Sequence, residues 1–310
     1  MGCGSSSSSV EINLDRQNAF FYGGEVVSGV VNYNVNDETV NVDELVLKCF
    51  GEVGYTSQKT VVINGQTTTQ TIHNDIPIIS SNHVLVRPEN GQEDLTFGKG
   101  QHSFPFQIQL PTNLPPTMNQ PQTYPHVRYY VQMYVDRAWY KANTRENRYI
   151  TVFPRVNLAQ VPNSSKPTVF SSQNQKDFSL KGNLNKLGYI AGETIQGTID
   201  IDNPKQAIIK QIVVTLIRNF RMGGASGEHV IVRSTIPEMM RRQDPRINQP
   251  FTLMIPATSL PPSYQFDGGL NQVTSAHTNY ILKFQVQFEG VITDFELLVP
   301  IIIGTEPNPS

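Results

Sequence analysis

Three stretches of this chain carry residue types whose spacing suits modification or recognition. The first is Met1-Gly2-Cys3-Gly4-Ser5-Ser6, which fits the acylation pattern Met-Gly-x-x-x-Ser/Thr. Loss of Met1 frees the Gly2 amine for a myristoyl amide, and the neighbouring Cys3 thiol offers a palmitoyl thioester. One acyl chain supports only marginal, reversible membrane binding, whereas two give durable anchoring. Residues 1–9 are therefore expected to be an acylatable Ser-rich leader, with Gly2 and Cys3 as the lipidated positions on the cytosolic leaflet.

The second stretch, Pro261-Pro262-Ser263-Tyr264, spells Pro-Pro-x-Tyr. A WW domain grips such a motif by stacking on the polyproline segment and seating the tyrosine. Pro261, Pro262 and Tyr264 are thus candidate WW-ligand residues. A parallel stretch, Leu114-Pro115-Pro116-Thr117, lacks the tyrosine, and the simpler reading makes both stretches connections between strands. The third stretch concentrates cations: Arg218, Arg221, Arg233, Arg241, Arg242 and Arg246. The last five are candidate contacts to anionic headgroups or phosphorylated partners; the plainer reading is strand edges blunted by charge.

Catalytic and metal chemistry find little support in spacing. The histidines at 73, 83, 102, 126, 229 and 277 show neither His-x-x-x-His nor a pairing with cysteines that places ligands on one zinc ion. His102, His126 and His277 begin strand-like blocks, where a ring bonded to backbone is the usual arrangement. There is no Gly-x-Ser-x-Gly elbow and no phosphate-cradling glycine loop followed by a helix. The expectation is a protein that is not an enzyme, with no cofactor, no metal and no catalytic residues.

Charge and cysteine usage narrow the setting. Twenty-four basic residues against 26 acidic ones give a formal net charge of −2 and no field that attracts nucleic acid. The two cysteines, Cys3 in a polar leader and Cys49 inside Leu45-Val-Leu-Lys-Cys-Phe50, suit a reducing compartment rather than a disulfide framework. No apolar run reaches the roughly 20 residues of a membrane span, and the N-terminus lacks the apolar core of a secretory signal. The protein is expected to be cytoplasmic, peripheral on the cytosolic face of the plasma membrane or endosomes.

The elements that must position these residues are strands. Apolar residues fall two apart from Val10 onward, turn residues separate the runs, and Asn64-Gly65 between β-branched runs signals a hairpin. Tyr22-Gly-Gly24-Glu25-Val-Val27-Ser-Gly29 recurs as Tyr189-Ile-Ala-Gly192-Glu193-Thr-Ile195-Gln-Gly197, the glutamates 193 − 25 = 168 residues apart. Two further blocks repeat in the same order: Phe106 to Thr117 with Phe251 to Ser263, and His126 to Val135 with His277 to Val286. A period this long is that of whole domains. Glycines at matched strand positions indicate a bulge or close backbone approach, and Glu25 and Glu193 are read as turn-facing carboxylates that accept backbone N–H groups. The fold class is all-β: two tandem antiparallel immunoglobulin-like β-sandwich domains. The division is a leader at 1–9, a first domain at 10–157, a Pro/Ser/Asn-rich linker at 158–176, a second domain at 177–304 and a short tail at 305–310.

Taken together, these blocks resemble the arrestin family, specifically the arrestin-domain-containing proteins, over about residues 10 to 304. The motifs that carry the resemblance are Gly24 to Gly29, Gly100-Gln-His102-Ser-Phe104-Pro105-Phe106, Leu110-Pro111 with Pro115-Pro116, Tyr129-Tyr130-Val131, Gly188 to Glu193, and Ile255-Pro256 with Leu260-Pro261-Pro262. The resemblance implies a non-enzymatic adaptor whose ligands are proteins. It would link transmembrane cargo, such as receptors or transporters, to endocytic sorting, protein transport or ubiquitination, with WW-domain ubiquitin ligases or sorting machinery as further partners. The alternative is a constitutive structural subunit of an endosomal sorting coat, as in the retromer's arrestin-like component. Such proteins usually carry a long tail with Pro-Pro-x-Tyr motifs, whereas this sequence reads Thr305-Glu-Pro-Asn-Pro-Ser310 after the second domain.

Overall fold

In the computed structural model, residues 8–63, 66–89, 94–119, 123–135, 144–173, 178–290 and 294–307 are described. The leader positions Gly2 and Cys3, and the Asn64-Gly65 pair, lie outside them. The chain divides into two compact units. The first comprises residues up to Pro154 with Met222–Ala225 and Phe266–Ala276; the second comprises Arg155–Arg221, Ser226–Gln265 and His277 onward.

The first unit is built from β1 (Ser8–Leu14), β2 (Phe20–Tyr22), β3 (Val26–Val42), β4 (Leu45–Ile63), β5 (Gln66–Val86), β6 (Leu95–Gln109), β7 (His126–Val135) and β8 (Thr144–Phe153). They form a three-stranded sheet, β1-β3-β6, and a five-stranded sheet, β2-β8-β7-β4-β5. Val27, Val31 and Tyr33 of β3 are fully buried, as are Val127, Tyr129, Val131 and Met133 of β7. Their period of two gives each sheet an apolar inner face, and each large side chain so buried contributes roughly 2 kcal/mol. The strands β4 and β5 pair along their whole length, with Ile63 opposite Gln66 at the closing end.

The second unit contains β9 (Thr168–Gln173), β10 (Ser179–Leu184), β11 (Gly188–Tyr189), β12 (Thr194–Asp202), β13 (Ile209–Met222), β14 (Ala225–Thr235), β15 (Arg246–Met254), β16 (Tyr264–Gly268), β17 (Thr274–Phe288) and β18 (Phe295–Ile303), apart from the ends of β13, β14, β16 and β17 that fall in Met222–Ala225 and Phe266–Ala276. One sheet runs β15-β12-β10-β9; the other runs β11-β18-β17-β13-β14, with β16 against β17. Ile195 and Ile199 of β12 share a core with Tyr280, Leu282 and Phe284 of β17.

Both units are all-β sandwiches built mainly on antiparallel ladders, and among the described residues each also holds a short parallel pair. These pairs are β2 with β8 and β11 with β18. The stretch at 158–176, read from sequence as a linker, contains regular structure within its described residues, 158–173. It supplies a 3-10 turn at Leu158–Gln160 and the edge strand β9, which pairs with β10. Two apolar residues explain the strand: Phe170 stacks on Phe284 with ring centroids 5.1 Å apart, while the adjacent Val169 points out to solvent. Among Ser, Gln and Pro neighbours so short an alternation does not stand out.

Candidate functional site

The repeated motifs build the same local machinery in both units. Gly24 and Gly192 have φ of 84° and 88°, a left-handed conformation that favours glycine. The following glutamate closes the turn: the Glu25 N–H donates to the Tyr22 carbonyl at 3.0 Å, and that of Glu193 to the Ile190 carbonyl at 3.2 Å. Each carboxylate then accepts from the same turn, Tyr22 N–H at 3.0 Å in one unit and Ile190 N–H at 2.9 Å in the other. A nearby cation completes each arrangement, Arg16 on Glu25 and Lys186 on Glu193, both at 2.8 Å. The second glycine of each motif permits close approach. A Cβ on Gly29 would stand 2.2 Å from the Asn13 carbonyl oxygen, and one on Gly197 would stand 2.2 Å from that of Asn183.

Pro261 and Pro262 are buried, and Tyr264 is half-buried where it opens β16. The Pro261 carbonyl accepts the Tyr280 hydroxyl at 2.6 Å, as the Pro115 carbonyl accepts that of Tyr129 at 2.7 Å. Burial raises the pKa of the Tyr264 phenol. A WW domain needs the polyproline faces in solvent, so the folded unit does not present this motif. Ser263 and Tyr264 instead line an open cleft of about 500 Å³ with Asn157, Gln160 and Thr278.

The arginine stretch does not form one patch. Arg241 pairs with Glu289 at 3.6 Å, Arg242 with Asp244 at 2.6 Å and Arg246 with Asp202 at 3.4 Å. Arg221 and Arg233 are exposed, but they lie at opposite ends of the β13–β14 hairpin. Arg218 is buried in β13, where desolvation lowers its pKa. The neighbouring Asp244, and Asp202 and Glu289 from distant parts of the sequence, offset much of the charge that the arginines suggest.

Sequence spacing gives no hint of a polar cluster built by β5, β4 and β7. In the β4–β7 ladder Glu52 stands opposite Arg128 and Gly54 opposite His126; in the β4–β5 ladder Gly54 stands opposite Asp75. The β4–β5 register shifts between Gly51 and Glu52, leaving Ile78 as the extra residue on β5, and such bulges often re-aim side chains. Arg128 donates its Nε–H to Glu52 Oε1 at 2.5 Å, and its Nη2 also lies on that oxygen. His126 is fully buried; its Nδ1 lies 3.1 Å from the Thr123 carbonyl oxygen, and its Nε2 lies 3.5 Å from Glu52 Oε1 and 3.9 Å from Asp75 Oδ1. Tyr124 donates its hydroxyl to both Asp75 oxygens at 2.8 Å. Burial opposes ionisation of Glu52, yet the polar and charged groups around it overcome this and hold the carboxyl below its usual range. Burial and the Asp75 carboxylate push the Tyr124 phenol up to about 12.

Comparison with known proteins matches both halves of the chain. The family model described as arrestin (or S-antigen), N-terminal domain, covers residues 10–159, and that described as arrestin (or S-antigen), C-terminal domain, covers 174–308. The chain is also similar to arrestin domain-containing protein 15 of Caenorhabditis elegans, at 22% identity over 220 residues. That match takes in 64% of this chain and 57% of the relative's length.

Proposed function

Since this chain belongs to the arrestin family, we propose that it is a non-enzymatic adaptor that links transmembrane cargo to endocytic sorting, protein transport or ubiquitination. The observation that carries this reading is the succession of an arrestin N-terminal and C-terminal domain along one chain. Such a pair of sandwiches offers loops and sheet edges to protein partners. The exposed edge strand β9, with Val169 in solvent, is one such surface in the second unit. Acylation at Gly2 and Cys3 would hold the adaptor on the cytosolic face of the plasma membrane or endosomes. Arg221 and Arg233 are the cations of the arginine stretch left to meet lipid headgroups or phosphorylated cargo. Recruitment of a ubiquitin ligase would use a surface other than Pro261 to Tyr264, because that segment is built into the fold.

Membrane fractionation of cells expressing the intact chain, Gly2→Ala and Cys3→Ser tests the anchor. Both variants should move to the soluble fraction; unchanged membrane association of both would remove lipidation from the account.

A further inference from the structure

We propose that Glu52, Asp75 and His126 form a binding site for a divalent transition-metal ion of the zinc class, opening to solvent at Asp75. This goes beyond adaptor function and rests on the first unit alone.

The tautomer of His126 follows from its surroundings. A carbonyl oxygen only accepts, so Nδ1, 3.1 Å from the Thr123 carbonyl, carries the hydrogen. In the neutral ring the Nε2 lone pair then faces inward, and this fully buried atom has no hydrogen-bond partner. What it faces is two carboxylate oxygens, at 3.5 and 3.9 Å. A lone pair held against anionic oxygens is repulsive unless a cation stands between them.

The geometry suits such an ion. One ligand atom from each of the three residues lies within 4.8 Å of the others. Nitrogen and oxygen ligands about 2.1 Å from a tetrahedral zinc stand about 3.4 Å from one another, with one position left for water when the protein supplies three. The surrounding bonds are those that metal ligands use. The second ring nitrogen of a metal-bound histidine ordinarily donates to a carbonyl or carboxylate, and ligating carboxylates are themselves hydrogen-bonded. Thr123 supplies the first function; Tyr124 on Asp75 and Arg128 on Glu52 supply the second.

Gly54 makes the space. It lies between Asp75 and His126 in the paired strands, and a Cβ there would stand 2.4 Å from His126 Nε2 and 2.9 Å from Asp75 Oδ1. Two carboxylates, of Glu52 and Asp75, and one guanidinium, of Arg128, surround the ring. The competing occupant is a proton on Nε2, which would make the cluster a closed ion-pair network.

The test uses the full-length chain without an affinity tag. Titration calorimetry with zinc should give one site, reversed by EDTA, and cobalt(II) should take up the intense visible absorption of a tetrahedral centre. Asp75→Asn, at the exposed rim, should weaken zinc at least tenfold while leaving the metal-free melting temperature in place. His126→Gln should abolish the cobalt band, and His229→Gln, exposed in the second unit, should leave affinity unchanged. The proposal fails if zinc does not bind, if Asp75→Asn binds as tightly as the parent, or if His229→Gln removes the site. It also fails if nitrogen NMR finds Nε2 protonated at neutral pH with zinc present.

Discussion

Tyr280 donates its hydroxyl to the carbonyl oxygen of Pro261 across 2.6 Å in the interior of the second unit. Tyr129 makes the corresponding bond to Pro115 in the first, at 2.7 Å. In each unit a central strand is thereby fastened to the Pro-Pro connection that precedes it. Removing either hydroxyl strands a buried carbonyl, which costs about 1–3 kcal/mol. Tyr129→Phe and Tyr280→Phe should each destabilise by about that amount in urea unfolding. A loss below roughly 0.5 kcal/mol in both would mean that water replaces the bond.

The same bond bears on the Pro-Pro-x-Tyr motif. A synthetic peptide spanning residues 258–268 should bind a WW domain at least tenfold more tightly than the folded chain does, measured by fluorescence polarisation. Equal affinities would show that the segment leaves its seat readily.

Gly29 and Gly197 hold neighbouring strands close. A methyl group at either would collide with a backbone carbonyl at 2.2 Å, and backbone yields less readily than a side chain. Gly29→Ala and Gly197→Ala should each cost more than about 2 kcal/mol in denaturant unfolding. Gly98→Ala, where a Cβ meets nothing within 4 Å, is the control and should stay near the parent stability.

Cys49 is fully buried in β4, and burial pushes its thiol up to about 12. At pH 8 its thiolate fraction is on the order of 10⁻⁴, so it should resist alkylation while the chain is folded. In a Cys3→Ser background, iodoacetamide should label Cys49 only in denaturant, as followed by intact mass. Labelling in native buffer within minutes would place Cys49 in an opening segment.

How much of this was legible in the sequence depends on whether the signal is local. Gly24 with Gly192, Gly29 with Gly197, and the turn-facing Glu25 and Glu193 stand in repeated motifs, and the all-β fold follows from their order and the period-two runs. Pairing between distant strands leaves no such mark. Glu52, Asp75 and His126 meet only because β5, β4 and β7 are neighbours. Asp202 reaches Arg246 for the same reason, across the β12–β15 ladder. The strand β9 was hidden by its Ser and Gln content, since among its described side chains Phe170 alone enters the core packing. The alignment of the repeats also shifts by one residue. Tyr22 and Ile190 occupy the same turn position, which puts Tyr189 in the place of Phe21.

The central claim is that this chain is a membrane-held adaptor for transmembrane cargo. Proximity labelling in cells, comparing the intact chain with Gly2→Ala and Cys3→Ser variants, tests it most directly. The expected result is enrichment of transmembrane proteins and sorting factors with the intact chain, falling severalfold in both variants. Labelling confined to a stoichiometric coat complex, unchanged by either substitution, would contradict the claim and point to a constitutive coat subunit.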